Sequence, residues 1–217
     1  MRLIKFCCWA LAVLCILLLV ISLLLKRVQP NVTSAQNLPV EATLTYSTEH
    51  NYRQGYNQCG PYSAAAALRA LKQNIEPATT VADLPWRLPR DYTHPWALES
   101  LLESQGANVQ AYNISSLHDD EIISFIQSTI YAGQPLIILT NLHGYQHYVT
   151  LLGYDDTTNT IDVYDPAHTK LKEGYTTDDN GLRPGNISMA YSELINYWRG
   201  GGVLGFYKGY GLVVSLP

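Results

Sequence analysis

Gln54-Gly-Tyr-Asn-Gln-Cys59-Gly-Pro-Tyr-Ser-Ala-Ala-Ala-Ala-Leu-Arg-Ala-Leu71 is the stretch on which the reading of this chain turns. A polar loop runs into Cys59, and Gly60 and Pro61 turn it into an alanine-rich run. Proline suits the first turn of a helix, where its missing N–H has no partner to lose. Ala64, Ala65, Ala66, Ala67, Leu68 and Leu71 are strong helix formers. The pattern therefore predicts a helix with Cys59 at its N-terminus. Unpaired N–H groups and the positive dipole end favour a thiolate there. Small side chains let the helix pack closely against its neighbours. A cysteine nucleophile is presented in this way; a buried structural cysteine is the competing reading of this stretch alone.

The other cysteines favour the nucleophile. Cys7, Cys8 and Cys15 lie in an apolar N-terminal segment, so Cys59 stands alone in the remainder and has no disulfide partner there. No Cys-x-x-Cys pair exists, which excludes a zinc cage of cysteines. The first 27 residues hold four basic and no acidic groups, leaving ten basic and 18 acidic residues, a formal charge of −8. That balance argues against nucleic acid as a partner, because phosphate binding wants a basic face.

Residues 6–25 form an apolar run without a charge. Its length matches the ~20 residues that span a bilayer. A cleaved signal has a shorter apolar region of ~7–15 residues and an Ala-x-Ala site, which is not seen here. Residues 1–27 are therefore expected to be an uncleaved single-pass anchor, with the acidic domain on the extracytoplasmic side and the membrane as a partner. Residues 28–45, with Pro30 and Pro39, are expected to be a linker, and residues 46–217 one domain with a substantial core. Asn-x-Ser/Thr triplets stand at Asn31, Asn113 and Asn186, and such triplets are common by chance.

Past the Cys59 helix, residues 76–95 are Pro-rich and read as irregular. Helices are expected at 95–104, closed by Gly106, at 119–131, closed by Gly133, and at 191–198. Strands are expected at 108–112, 136–140, 203–207 and 211–216, and a polar loop at 166–189. His-Tyr-Val-Thr-Leu-Leu-Gly-Tyr154 and Thr160-Ile-Asp-Val-Tyr-Asp165 flank a polar turn and predict an antiparallel hairpin. A turn centred on Asp156 makes Val149 face Val163, Leu151 face Ile161 and His147 face Asp165. A His-Asp pair is then expected at the open end of a half-buried sheet face.

A cysteine peptidase needs an activated thiol, an imidazole to share its proton, a group that orients the imidazole, and a donor for the oxyanion. Cys59, His147, Asp165 and Gln54 fill these roles in that order along the chain. Gln58 competes with Gln54 for the last. His143 and His147 sit four apart, but Gly144 and the strand that follows argue against a helical metal pair. No metal or cofactor is expected.

Gln-x4-Cys-Gly-Pro-x-Ser-Ala-Ala, then His-Tyr-Val-x-Leu-x-Gly-Tyr-Asp, then Val-Tyr-Asp-Pro, resembles the bacteriocin-processing (double-glycine leader) cysteine peptidases and their stand-alone relatives. The resemblance covers residues 45–215 and implies an α+β, papain-like fold, with a helix bearing the cysteine on an antiparallel sheet. It implies Cys59 as nucleophile, His147 as base and Asp165 as orienter. Gln54 matches the oxyanion glutamine with an interval one residue shorter than the family's usual step. No P-loop is present, so a leader peptide coupled to export is not implied. The expected function is a membrane-anchored cysteine peptidase acting on a peptide or protein substrate. A thioester-forming acyltransferase on the same residues and a non-catalytic, membrane-tethered peptide-binding module are the alternatives.

Overall fold

Continuous apolar strands, covered on both sides, carry this fold. The computed structural model describes residues 9, 13–16, 29–30, 38–168, 181–202 and 206–217. Among these, seven strands form one antiparallel sheet: β1 (Glu41–Thr43), β2 (Asn108–Asn113), β3 (Leu136–Thr140), β4 (His147–Asp155), β5 (Thr160–Tyr164), β6 (Ile187–Ala190) and β7 (Tyr210–Ser215). Their order is β2-β7-β3-β4-β5-β6, and β1 pairs with the far end of β4. The helices are α1 (Cys59–Ala70), α2 (Pro77–Asp83), α3 (Pro95–Ser104), α4 (Asp119–Tyr131) and α5 (Tyr191–Gly200).

Neighbouring strand residues belong to different cores, as the two-residue period of a strand requires. Ile137, Leu139, Tyr148, Leu212 and Val214 pack with residues of α1 and α3. Leu136, Ile138, Val149, Leu151 and Val213 pack with residues of α4 and α5. The sheet is therefore buried on both sides, not half-buried as the hairpin pattern suggests. Thr150, on the α1 side, is accommodated because its hydroxyl donates to the Ser63 carbonyl of α1 at 3.0 Å. Ala64, Ala65, Ala66 and Ala67 of α1 are all wholly buried, so this helix is covered on every side.

The hairpin register differs from the expected one. Asp155 pairs with Thr160, Tyr154 with Ile161 and Gly153 with Asp162; beyond a bulge, Leu151 pairs with Val163 and Thr150 with Tyr164. Two local causes account for the shift. The Asp155 carboxylate accepts the Thr157 N–H at 2.8 Å and centres the turn later than Asp156. Leu152 is then the extra residue of the bulge, and Gly153 follows because a Cβ there would strike the Asp162 carboxylate. His147 and Asp165 thus lie diagonally across the strand pair and not face to face.

Four further differences appear. The expected linker 28–45 contains β1, and the Tyr154 hydroxyl donates to the Pro39 carbonyl at 2.9 Å, so the packed unit begins by Pro39. A three-residue strand held by backbone bonds leaves no apolar run to read. The Pro-rich stretch holds α2, which starts on Pro77, and the expected loop 166–189 contains the start of β6. Residues 206–209 form a bridge and turn where the end of a strand was expected, and 203–205 lie outside the described residues. Most of the expected anchor at 1–27 also lies outside them; Trp9 and residues 13–16 are helical. Among the described residues no helix is long and apolar enough to cross a membrane.

Trp198 locks α5 to the sheet. It is wholly buried, its indole N–H donates to the Tyr210 carbonyl at 2.8 Å, and its ring fills the space a Cβ on Gly211 would need. Trp198→Ala is expected to destabilise the protein by about 3–5 kcal/mol. Urea unfolding followed by circular dichroism measures this, and a loss below about 1 kcal/mol would contradict it.

Candidate active site

Cys59 opens α1, His147 opens β4, and Asp165 directly follows β5. Each sits at the end of its element, where the backbone ladder stops and a side chain can reach its neighbours. Gly60 lets α1 begin against the loop that precedes α3, because an added Cβ would come within 2.6 Å of Thr93. Thr140, paired with His147 across β3 and β4, donates its hydroxyl to the His147 carbonyl at 2.9 Å.

His147 Nε2 lies 2.6 Å from Asp165 Oδ1, and both side chains have no exposed surface. The Cys59 side chain lies near enough to the same imidazole to raise its pKa. With Nε2 committed to the carboxylate, Nδ1 is the nitrogen left for the sulfur. Burial pulls the His147 pKa down. The hydrogen bonds to Asp165 and Cys59 and the charges of both outweigh it, and the ring is pushed up to about 10. Three side chains distant in sequence therefore act on one another here: the Cys59 sulfur, the His147 imidazole and the Asp165 carboxylate.

Asp165 is held on three sides. Its Oδ1 also accepts the Ala167 N–H at 2.8 Å. The Asn186 amide clamps its peptide: Asn186 Oδ1 accepts the Asp165 N–H and Asn186 Nδ2 donates to the Asp165 carbonyl, both at 2.8 Å. Asn186 is 3% exposed and occupied in this way, so a glycan has no access to it. Asn51 anchors the neighbouring turn, donating to the Gly185 carbonyl at 2.7 Å.

The two glutamines are placed differently. The Gln54 N–H donates to the Pro166 carbonyl at 2.8 Å, which ties the loop before the nucleophile to the residue after Asp165. Its side-chain oxygen is buried and accepts no hydrogen bond among the described residues. The Gln58 amide folds back on the loop, its Oε1 within 2.5 Å of where a Cβ on Gly55 would stand.

Tyr145 and Asn186 are the site residues the sequence reading missed. The Tyr145 ring meets the His147 ring edge-on, with centroids 5.7 Å apart and planes at 74°. Burial, then the charges of Asp165 and Cys59, push the Tyr145 phenol upward, so its hydroxyl stays protonated beside the site. Gly144, with φ of +79°, signals the turn that presents Tyr145, though nothing in the sequence says where that turn points. Asn186 is hidden inside a chance glycosylation triplet.

The His147 ring is expected to remain protonated at pH 8, where an exposed histidine is neutral. Nuclear magnetic resonance of the ring nitrogens reads this directly, and Asp165→Asn is expected to lower the midpoint. A wild-type midpoint near 6.5 would contradict the assignment.

A family model described as Peptidase_C39 like family matches residues 38–199. No curated protein matches the chain. Two crystal structures share the fold. A double glycine motif protease from an AMS/PCAT transporter, in complex with the leader peptide, superposes with a TM-score of 0.55 at 16% identity, covering 81% of this chain and 95% of that one. A putative C39-like peptidase from Bacillus anthracis gives 0.52 at 14% identity, covering 82% and 98%. Identities this low speak for the α+β, papain-like fold and no further.

Proposed function

The chain belongs to the Peptidase_C39-like family and is a cysteine peptidase, and from that premise we propose that it cleaves peptide bonds through Cys59, His147 and Asp165. The observation that carries this reading is the buried 2.6 Å contact between His147 and Asp165, on an imidazole whose pKa the nearby Cys59 also raises.

The roles in this reading are these. Asp165 fixes the ring so that Nδ1 faces the sulfur and stabilises its charged form. His147 holds the proton that Cys59 gives up, and the thiolate attacks the carbonyl carbon. The Cys59 N–H at the start of α1 and the Gln54 amide stabilise the oxyanion. Gln54 is favoured over Gln58 because its loop is tied to Pro166, while the Gln58 amide is turned against Gly55. The imidazolium then protonates the leaving amine, and the C–N bond breaks. Water, giving its proton to the now neutral His147, hydrolyses the thioester and releases the free thiol. The leaving amine needs the imidazolium, so turnover falls as pH rises through the His147 value of about 10.

The substrate in this reading is a peptide or protein; the related transporter protease was crystallised with a leader peptide. We also read residues 1–27 as a membrane anchor that holds the peptidase domain on the extracytoplasmic side, supported by the charge-free apolar run at 6–25. The full chain is then expected to stay in the membrane pellet after an alkaline carbonate wash, and release into the supernatant would count against the anchor.

Iodoacetamide at pH 6 tests the mechanism. A free cysteine, with pKa near 8.5, is well under 1% thiolate there. Cys59 is expected to be alkylated at least roughly tenfold faster than a free thiol, allowing for the lower nucleophilicity of a stabilised thiolate. Mass mapping identifies the labelled residue. Cys59→Ala is expected to abolish peptide hydrolysis, and undiminished turnover in that variant would refute the mechanism.

A further inference from the structure

Tyr145 is a large aromatic side chain that the protein core does not use. It belongs to neither hydrophobic cluster, and 46% of its surface is exposed. Its position comes from the turn before β4: Gly144 takes φ of +79°, and the Tyr145 N–H donates to the Leu142 carbonyl at 3.3 Å. Tyr145 itself is extended. This turn brings the ring edge-on to His147.

Directly behind it, His147 and Asp165 have no exposed surface at all. Water at that hydrogen bond would compete for both partners and raise the local dielectric. We propose that Tyr145 is a positioning residue whose ring forms the solvent-side wall of the His147–Asp165 pair and thereby keeps His147 in its charged form. The inference rests on the functional reading above and adds a residue to it.

The direction of the effect follows from what acts on the ring. The ionisable groups around His147 are Cys59 from α1, Asp165 from the end of β5, and Tyr145 from the turn before β4. Burial lowers the proton affinity of the imidazole, and the two acidic partners raise it by more. Full hydration weakens both effects together and returns the ring toward an ordinary histidine. Since their balance is upward, admitting water moves His147 down. A phenylalanine ring blocks water as a tyrosine ring does; a methyl group does not.

The experiment is a ring-nitrogen titration of His147 in the full chain in detergent micelles, without substrate. It compares wild type with Tyr145→Phe, Tyr145→Leu and Tyr145→Ala. Tyr145→Phe is expected to hold the wild-type midpoint. Tyr145→Ala is expected to lower it by at least about one pH unit, a tenfold loss of proton affinity, and Tyr145→Leu to fall between. With a cleaved peptide, the alkaline limb of kcat moves by the same amount and Phe restores it. An unchanged midpoint in the Ala variant overturns the inference, as does a Phe variant that falls as far as Ala, which would assign the effect to the hydroxyl. Should the Ala variant fail to fold, the Leu variant against Phe carries the comparison. A wild-type midpoint near 6.5 instead overturns the functional reading itself, so the two failures are distinguishable.

Discussion

Everything near the candidate site depends on one buried contact, 2.6 Å long, between an imidazole and a carboxylate with no exposed surface. Removing such groups from water carries a penalty of several kcal/mol for each ion, repaid only by good geometry and by partners for the remaining lone pairs. The structure supplies those partners. Ala167 gives its N–H to the same Asp165 oxygen, and Cys59 also favours the charged ring. Without them the pair would neutralise or hydrate, and the imidazole would revert to an ordinary histidine.

That requirement explains features that otherwise look incidental. A carboxylate one residue past the end of β5 has no ladder to hold its backbone, and the Asn186 amide takes the place of a neighbouring strand with its two hydrogen bonds. Asp162, a second wholly buried carboxylate on β5, is neutralised by Arg183, whose Nη2 lies 2.8 Å from it, and is shared with the Ser188 hydroxyl at 2.9 Å. Both devices fasten the segment 183–188 to the hairpin. The loop that carries Asp165 therefore rests on a rigid neighbour and not on open chain.

The sequence exposed the parts of this arrangement that rest on local chemistry. Pro61 and the alanines mark α1, and the 3.6-residue spacing of Ile122, Ile126 and Ile130 marks α4; both lie where the pattern puts them. The meeting of His147 and Asp165 was also legible, although for an inexact reason: the expected register made them direct partners, while the bulge at Leu152 makes them diagonal ones. An even shift keeps the same residues on the same face, so the contact survives the error. Tyr145, Asn186 and the short strands β1 and β6 were not legible. Their places are fixed by backbone pairing and by turns such as Gly144, which carry no hydrophobic period.

Buried alanines of α1, Ala64, Ala65 and Ala67, pack in the same core as Ile137, Leu139 and Tyr148 of the sheet and act as a ruler. The sulfur sits at the start of a helix that meets the sheet with short side chains. An extra methylene in a packed core is accommodated by backbone shifts at a cost of about 1–3 kcal/mol. Here the same accommodation would lift the thiol away from its imidazole. Along this helix, tolerance of the architecture and tolerance of the chemistry part company, so a chain that is soundly folded and chemically silent lies a single carbon atom away.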